Sequence, residues 1–125
     1  MRIVLGIAVA GFLGAIARYQ IGYLLPQGSD ASFPWATLLV NLLGSILLGY
    51  LFGLLSRKRM PAWWGEVAGT GFLGAFTTFS AFNGQLWLLY EHRAFLYAGA
   101  YVLLSAIGGW MLAAAGLNWG RGTAE

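Results

Sequence analysis

Four long apolar segments, separated by short polar connectors, constrain this chain more than any other feature of its sequence. They cover approximately residues 3–25, 35–55, 62–90 and 94–119. A helix needs about 20 mainly apolar residues to cross the hydrocarbon core of a bilayer, and each segment reaches that length. The pattern therefore predicts an all-α membrane protein with four transmembrane helices, which form a single domain over residues 1–125.

The low content of charged residues agrees with this class of protein. Charged side chains make up 9% of the residues, whereas soluble proteins carry roughly 25%. A chain with so few charges cannot cover a water-facing surface, so we expect the lipid bilayer to be its main solvent. The net charge of +3 does not indicate a nucleic-acid partner, because the basic residues lie between the apolar spans.

The third apolar segment has an unusual centre. The run 69–82 places several Gly and Thr residues in the middle of a membrane span, which favours a break in the helix. Broken backbone at membrane depth is tolerated only where it is buried in protein or lines a cavity, and its free carbonyls can bind a cation. Phe79 and Phe82 follow on one helix face. Such a pair is typical of core packing, but the positive ring edges could also stabilise a small anion.

Polar residues within the spans are mostly neutral hydrogen-bond donors. The acidic residues lie in or next to connectors, whereas a proton-coupled exporter usually needs a carboxylate inside the membrane. This placement argues against a small multidrug transporter, and donors without buried acids favour an anion as the ligand. The acidic residues are Asp30, Glu66, Glu91 and Glu125; the donors are Thr37, Asn41, Ser45, Thr70, Thr77, Thr78, Ser80, Asn83, Gln85 and Ser105, with Arg18 as an added cation.

Each of these polar groups also has a purely structural interpretation. A Ser or Thr hydroxyl can bond to its own helix. The Asn41 amide either joins two helices or lines a polar path, and Arg18 can extend to the membrane interface. The sequence does not predict an enzyme, because it has no Cys and its only histidine, His92, lies in a polar turn.

Three motifs occur in order along the chain, in its first, second and third apolar segments. They are Gly11-Phe-Leu-Gly-Ala-Ile-Ala-Arg-Tyr19, Thr37-Leu-Leu-Val-Asn-Leu-Leu-Gly-Ser45 and Gly71-Phe-Leu-Gly-Ala-Phe-Thr-Thr-Phe-Ser-Ala-Phe82. With these motifs the chain resembles the Fluc (CrcB) family of fluoride channels over nearly its whole length. One such motif would be weak, but three in order in a chain with four spans are specific.

The resemblance implies an antiparallel dual-topology dimer with two narrow pores. Through these pores fluoride would leave the cytoplasm passively, across the plasma (inner) membrane of a microbe. The implied pore residues are Asn41 as a donor, Phe79 and Phe82 as ring edges, and Ser80, Tyr101, Ser105 and Thr37 as further polar lining. The resemblance also implies that Arg18 lies in an aqueous vestibule and that the carbonyls of Gly74 and Thr77 hold a structural Na⁺.

Two positions depart from the pattern of the family, and the charges are unevenly distributed. Ala81 stands where the family often has Thr, and Gln85 stands where it often has Glu. The positive-inside tendency favours cytoplasmic termini, because one side carries Arg2, Arg57, Lys58, Arg59 and Arg121, and the other carries Arg18 and Arg93. Two interpretations stay open: a homodimer that tolerates this bias, or a subunit of fixed orientation that pairs with a paralogue.

Overall fold

The computed structural model describes residues 1–25 and 28–122, and within these ranges it contains helices and short connectors without a strand. We number the helices α1 to α5. They are α1 (Arg2–Leu24), α2 (Trp35–Ser56), α3 (π-helical over Gly65–Leu73, then one α turn over Gly74–Phe76), α4 (Phe79–Glu91) and α5 (Phe95–Arg121, with wide π turns over Leu104–Gly108).

Three of these helices, α1, α2 and α5, are long and apolar enough to cross a membrane. The remaining predicted span, 62–90, is divided between α3 and α4, which meet at Thr77 and Thr78. Neither piece is a full span by itself. The prediction of four helical segments with a broken third one is therefore confirmed.

Glycines allow α2 and α5 to touch through their backbones. A Cβ atom on Gly49 would overlap the carbonyl of Ala113, and a Cβ atom on Gly116 would overlap the carbonyl of Ile46. Close approach of this kind is the usual role of small residues between membrane helices. Gly53 packs in the same way on Gly120, and the pairs Gly49/Gly53 of α2 and Gly116/Gly120 of α5 have the same spacing of four residues.

The same device holds α1 against α3. A Cβ atom on Gly14 would overlap the carbonyl of Phe72, and one on Gly71 would lie 2.8 Å from the carbonyl oxygen of Ile7. Only glycine fits at such distances from a backbone atom. The first half of the broken segment, α3, is therefore fixed to α1. The break that follows it lies beside α2.

Two small clusters form the core, and the remaining apolar side chains face outward. The first cluster comprises Val40, Leu51, Leu73 and Phe76, and the second comprises Leu38, Leu89 and Tyr101. Large side chains such as Phe12, Leu96 and Trp110 are exposed. In lipid this exposure is expected, because the acyl chains are as apolar as the side chains themselves.

Candidate functional site at the helix break

The break between α3 and α4 consists of two extended residues. Thr77 has φ −77° and ψ 157°, and Thr78 has φ −148° and ψ 122°. The N–H and the hydroxyl of Thr77 both donate to Leu73 O, at 3.0 and 2.9 Å, which completes α3. The hydroxyl of Thr78 accepts from the N–H of Ala81 at 3.2 Å and so caps α4. Each threonine thus closes one of the two helix ends.

Asn41 of α2 pairs with both backbone polar groups of Thr78. Its Nδ2 donates to Thr78 O at 3.0 Å, and its Oδ1 accepts from Thr78 N at 2.8 Å. Because the amide meets one donor and one acceptor, its orientation is unambiguous. The sequence left open whether Asn41 joins helices or lines a polar path. The structure shows the joining contact, and one Nδ2 hydrogen is left over for another acceptor.

The break removes the usual helical donors of backbone carbonyls at the end of α3 and within the break, including those of Gly74 and Thr77. In an unbroken helix Gly74 O would accept from the N–H of Thr78, and Thr77 O would accept from that of Ala81. The first of these N–H groups donates to Asn41, and the second donates to the Thr78 hydroxyl. Both residues line a groove of about 340 Å³, together with Asn41, Thr78 and Phe79. The carbonyls of Gly74 and Thr77, which the resemblance implies as cation ligands, are thus among those that lose their helical donors at the break.

Two phenylalanines project from the first turn of α4. The rings of Phe79 and Phe82 lie 5.9 Å apart with an interplanar angle of 16°. The prediction that they share one helix face is confirmed. Phe79 is 74% exposed, whereas Phe82 is half-buried and lies 4.8 Å from the ring of Tyr101. The three rings form a row that leads from the surface of the chain to its interior.

Tyr101 and Ser105 lie one turn apart on α5, at the inner end of this row. Tyr101 is fully buried, and its hydroxyl donates to Gln85 Oε1 at 2.9 Å. The Ser105 hydroxyl is buried without a hydrogen-bond partner in the part of the chain that the structure describes. It belongs to the wide π turns over Leu104–Gly108, and such local widening is frequent at functional sites.

Arg18 and Thr37 also lie near the break, and Thr37 contacts Tyr101 as well. They line a cavity of about 130 Å³ together with Thr78 and Ala81. Ser80 is exposed, and its hydroxyl lies 3.3 Å from that of Thr78. Arg18 is therefore placed beside the break, where its charge can act on an anion near the start of α4.

The structure adds two residues to those that the sequence singled out as site residues. Thr78 carries the cap of α4 and both bonds to Asn41, and Gln85 fixes the hydroxyl of Tyr101. A threonine that starts a helix after a Gly-rich run is a recognisable N-cap signal. No local signal pairs Gln85 with Tyr101, because they lie on different helices.

These features define a multi-pass membrane protein whose polar interior surrounds a broken helix. Among residues 1–25 and 28–122 no group of three His, Cys, Asp or Glu side chains is placed to hold a metal ion. Neutral donors, a single cation and backbone carbonyls are groups that can bind ions.

The chain belongs to the CrcB family. A family model described as "CrcB-like protein, Camphor Resistance (CrcB)" matches residues 5–117. The chain is 40% identical over 115 residues to the fluoride-specific ion channel FluC of Sphingopyxis alaskensis, with 89% of each chain covered. It is 43% identical to that of Erythrobacter litoralis, over 81% of this chain and 79% of the relative. It is also 43% identical to that of Thermococcus kodakarensis, over 86% of each. The resemblance is confirmed, and with it the expectation of a membrane protein that is not an enzyme.

Proposed function

We propose that this protein is a fluoride-selective channel through which fluoride leaves the cytoplasm passively. The observation that carries the proposal is the convergence of Asn41, the helix break and the ring pair Phe79–Phe82 at one place. It occurs in a chain whose relatives at 40–43% identity are named fluoride-specific ion channels.

The chemistry of the site suits a small, strongly hydrated anion. Stripping water from an ion is prohibitive unless other groups replace it. The remaining Nδ2 hydrogen of Asn41 and the hydroxyls of Ser80 and Ser105 are donors for this purpose, and the edges of Phe79 and Phe82 add weaker electrostatic attraction. Weak partners of this kind let the ion leave again, which conduction requires.

A second chain in antiparallel orientation would complete the pore. Phe79 is mostly exposed in the single chain. This exposure is expected if a second chain covers the ring in the dimer. Gly74 is also exposed and has ordinary helical angles, and a Cβ atom there would meet only Gly69 O at 3.7 Å. Packing within the chain therefore does not require this glycine. Close approach of a partner at the groove would require it.

The freed carbonyls of Gly74 and Thr77 suit a structural Na⁺, since a hard cation prefers oxygen ligands. One chain offers two such oxygens, and two chains related by a twofold axis would offer four. A bound Na⁺ would add fixed positive charge beside the anion path.

The partner is a second copy of this chain or a paralogue. The charge bias along the sequence, five basic residues on one side against two on the other, is an argument for a fixed orientation and hence for a paralogue. Against this, Asn41, both rings and the break are all intact, so that one chain supplies every group of the proposed pore. For that reason we propose the homodimer ahead of the heterodimer.

Fluoride efflux from liposomes that contain this chain alone tests the function. We expect rapid efflux of fluoride and little efflux of chloride, since the larger ion does not fit between the rings. Equal efflux of both ions would contradict the proposed selectivity. Efflux that appears only after a paralogue is added would establish the heterodimer.

A further inference from the structure

One end of the molecule carries most of its positive charge. Arg57, Lys58 and Arg59 follow the end of α2, and Arg121 ends α5 beside them, because Gly53 packs on Gly120. All four cationic side chains are exposed, and none of them forms an ion pair within the described ranges.

The turn that ends α2 holds Lys58 in an unusual conformation. Lys58 has φ 53°, its N–H donates to Leu55 O at 3.0 Å, and the N–H of Arg59 donates to Leu54 O at 3.0 Å. This is the Schellman arrangement, in which glycine is the usual residue at the left-handed position. A lysine at this position costs some backbone stability relative to glycine.

Helix dipoles account for only part of this charge. The guanidinium of Arg59 lies against the end of α5, where a Cβ atom on Gly122 would be 3.0 Å from both terminal nitrogens. The C-termini of α2 and α5 therefore meet the basic loop. Each C-terminus is equivalent to roughly half a negative charge, so two of them offset about one of the four cations. The next acidic residue along the chain is Glu66, in the first turn of α3, and among the residues that the structure describes it forms no ion pair with the four cations.

The loop also borders an open cavity with two chemically different parts. Its volume is about 550 Å³, and it is lined by Leu55, Lys58, Arg59, Met60, Pro61 and Ala62. Two residues are cationic and the others are mainly apolar. A free anion would contact only the cationic part of the cavity. An amphiphile with an anionic headgroup would contact both the cationic and the apolar part.

The neighbouring aromatic pair places this cavity at the level of the lipid headgroups. Trp63 and Trp64 follow it directly, stack at 4.7 Å and are each partly exposed. Tryptophan is enriched at the membrane–water boundary, where its ring is in lipid and its N–H is near water.

We propose that this cavity binds an anionic phospholipid of the surrounding bilayer. Lys58 and Arg59 contact the headgroup phosphate, and the side chains of Leu55 and Met60 contact the glycerol and the first carbons of the acyl chains. The site lies at the end of α2, apart from the helix break, so it does not depend on the proposed channel function.

Native mass spectrometry of the detergent-solubilised protein tests the site. The protein is titrated with phosphatidylglycerol or with phosphatidylcholine of the same acyl chains, and the lipid retained by each chain is counted. We expect preferential retention of phosphatidylglycerol. Lys58→Gly and Arg59→Gln should each weaken it about fivefold, as expected for one cation near an anionic headgroup. Lys58→Gly also relaxes the turn, so a loss of binding cannot be attributed to unfolding.

Two variants serve as matched controls. Arg93 occupies the same left-handed position at the end of α4, with φ 56° and its N–H donating to Tyr90 O at 3.0 Å. Arg93→Gly therefore makes the same change in an equivalent turn at another connector. Arg57→Gln removes a charge from the same loop, but Arg57 does not line the cavity. We expect both variants to retain phosphatidylglycerol as the unmodified chain does.

Three results would overturn the proposal. Equal retention of the two lipids would exclude recognition of the anionic headgroup. A loss in Arg57→Gln as large as that in Lys58→Gly would show diffuse attraction and no defined site. Complete displacement of the lipid by inorganic phosphate would show that the cavity binds a free anion and makes no use of its apolar part.

Discussion

The helix break and the contact between α2 and α5 are both built on backbone groups, but they use them in opposite ways. Along α2 and α5 the glycines let two intact helices touch. Gly49 and Gly116 lie against carbonyls of the facing helix, and these carbonyls keep their hydrogen bonds within that helix. At the break the backbone groups lose their helical partners, and a side chain, Asn41, takes over two of them. The first region is apolar and closely packed, and the second is held by a few polar hydrogen bonds beside a groove.

This difference indicates that the two regions have different roles: the first holds the helices together, and the second forms the proposed ion sites. The contact between α2 and α5 fixes α2, and α2 in turn carries Asn41 to the break. A substitution in the first region should therefore act mainly on stability, whereas one in the second should also act on the proposed ion sites. Four predictions test this contrast, from the largest expected effect to the smallest.

Asn41→Leu should have the largest effect, because it removes the bonds to Thr78 and a donor of the proposed path. An unpaired buried polar group costs about 1–3 kcal/mol, and this variant leaves both the N–H and the carbonyl of Thr78 without a partner. We expect lower thermal stability in detergent together with loss of fluoride efflux from liposomes. A stable variant with normal efflux would contradict both roles of Asn41.

Gly116→Ala should reduce stability by about 1–3 kcal/mol, the usual cost of overpacking. The new methyl group would overlap the Ile46 carbonyl, and a backbone atom cannot turn aside as a side chain can. Gly99→Ala is the matched control, since a Cβ atom at Gly99, on the same helix, meets nothing within 4 Å. The measurement is the unfolding temperature of both variants in one detergent. Equal temperatures would show that the two helices can separate without penalty.

Phe79→Ile should leave the fold almost unchanged and reduce fluoride efflux. The ring is 74% exposed, so the isolated chain loses little packing. If the ring edge contributes about 1 kcal/mol to the passage of the ion, efflux should fall about fivefold. Phe82→Ile should reduce efflux similarly but destabilise more, because Phe82 packs on Tyr101. Phe12→Ile changes an exposed ring on α1 and serves as the control; if it reduces efflux equally, the effect is not specific to the row of rings.

Thr77→Val should have the smallest effect. It removes the hydroxyl bond to Leu73 O but keeps the Thr77 N–H bond and the carbonyl proposed for Na⁺. We expect both this variant and the unmodified chain to unfold at a higher temperature in sodium chloride than in choline chloride. Thr78→Val, which removes the cap of α4, should cost about 1 kcal/mol. Loss of the sodium effect in Thr77→Val would assign the cation to the hydroxyl.

Much of the site could be predicted because its signals are local. A Gly- and Thr-rich run inside an apolar span indicates a break, and two phenylalanines three residues apart share a helix face whatever surrounds them. The roles of individual groups were harder to predict. The sequence left two interpretations open for Asn41, and only the bond to a residue 37 positions away shows that it joins helices. The hydroxyls of Ser45 and Thr77 bond to carbonyls of their own helices, the structural alternative considered for every hydroxyl.

The sequence by itself determined the membrane class, the four apolar segments, the break in the third and the family, because each rests on residue types at fixed spacing along the chain. Tertiary structure alone decided which donor meets which carbonyl at the break, how Gln85 holds Tyr101, and where Gly116 and Gly120 lie against α2. The physical reason is that a backbone group freed from its helix can accept any partner within about 3 Å. Which partner comes that close depends on how separate helices pack, and spacing along one helix does not encode it.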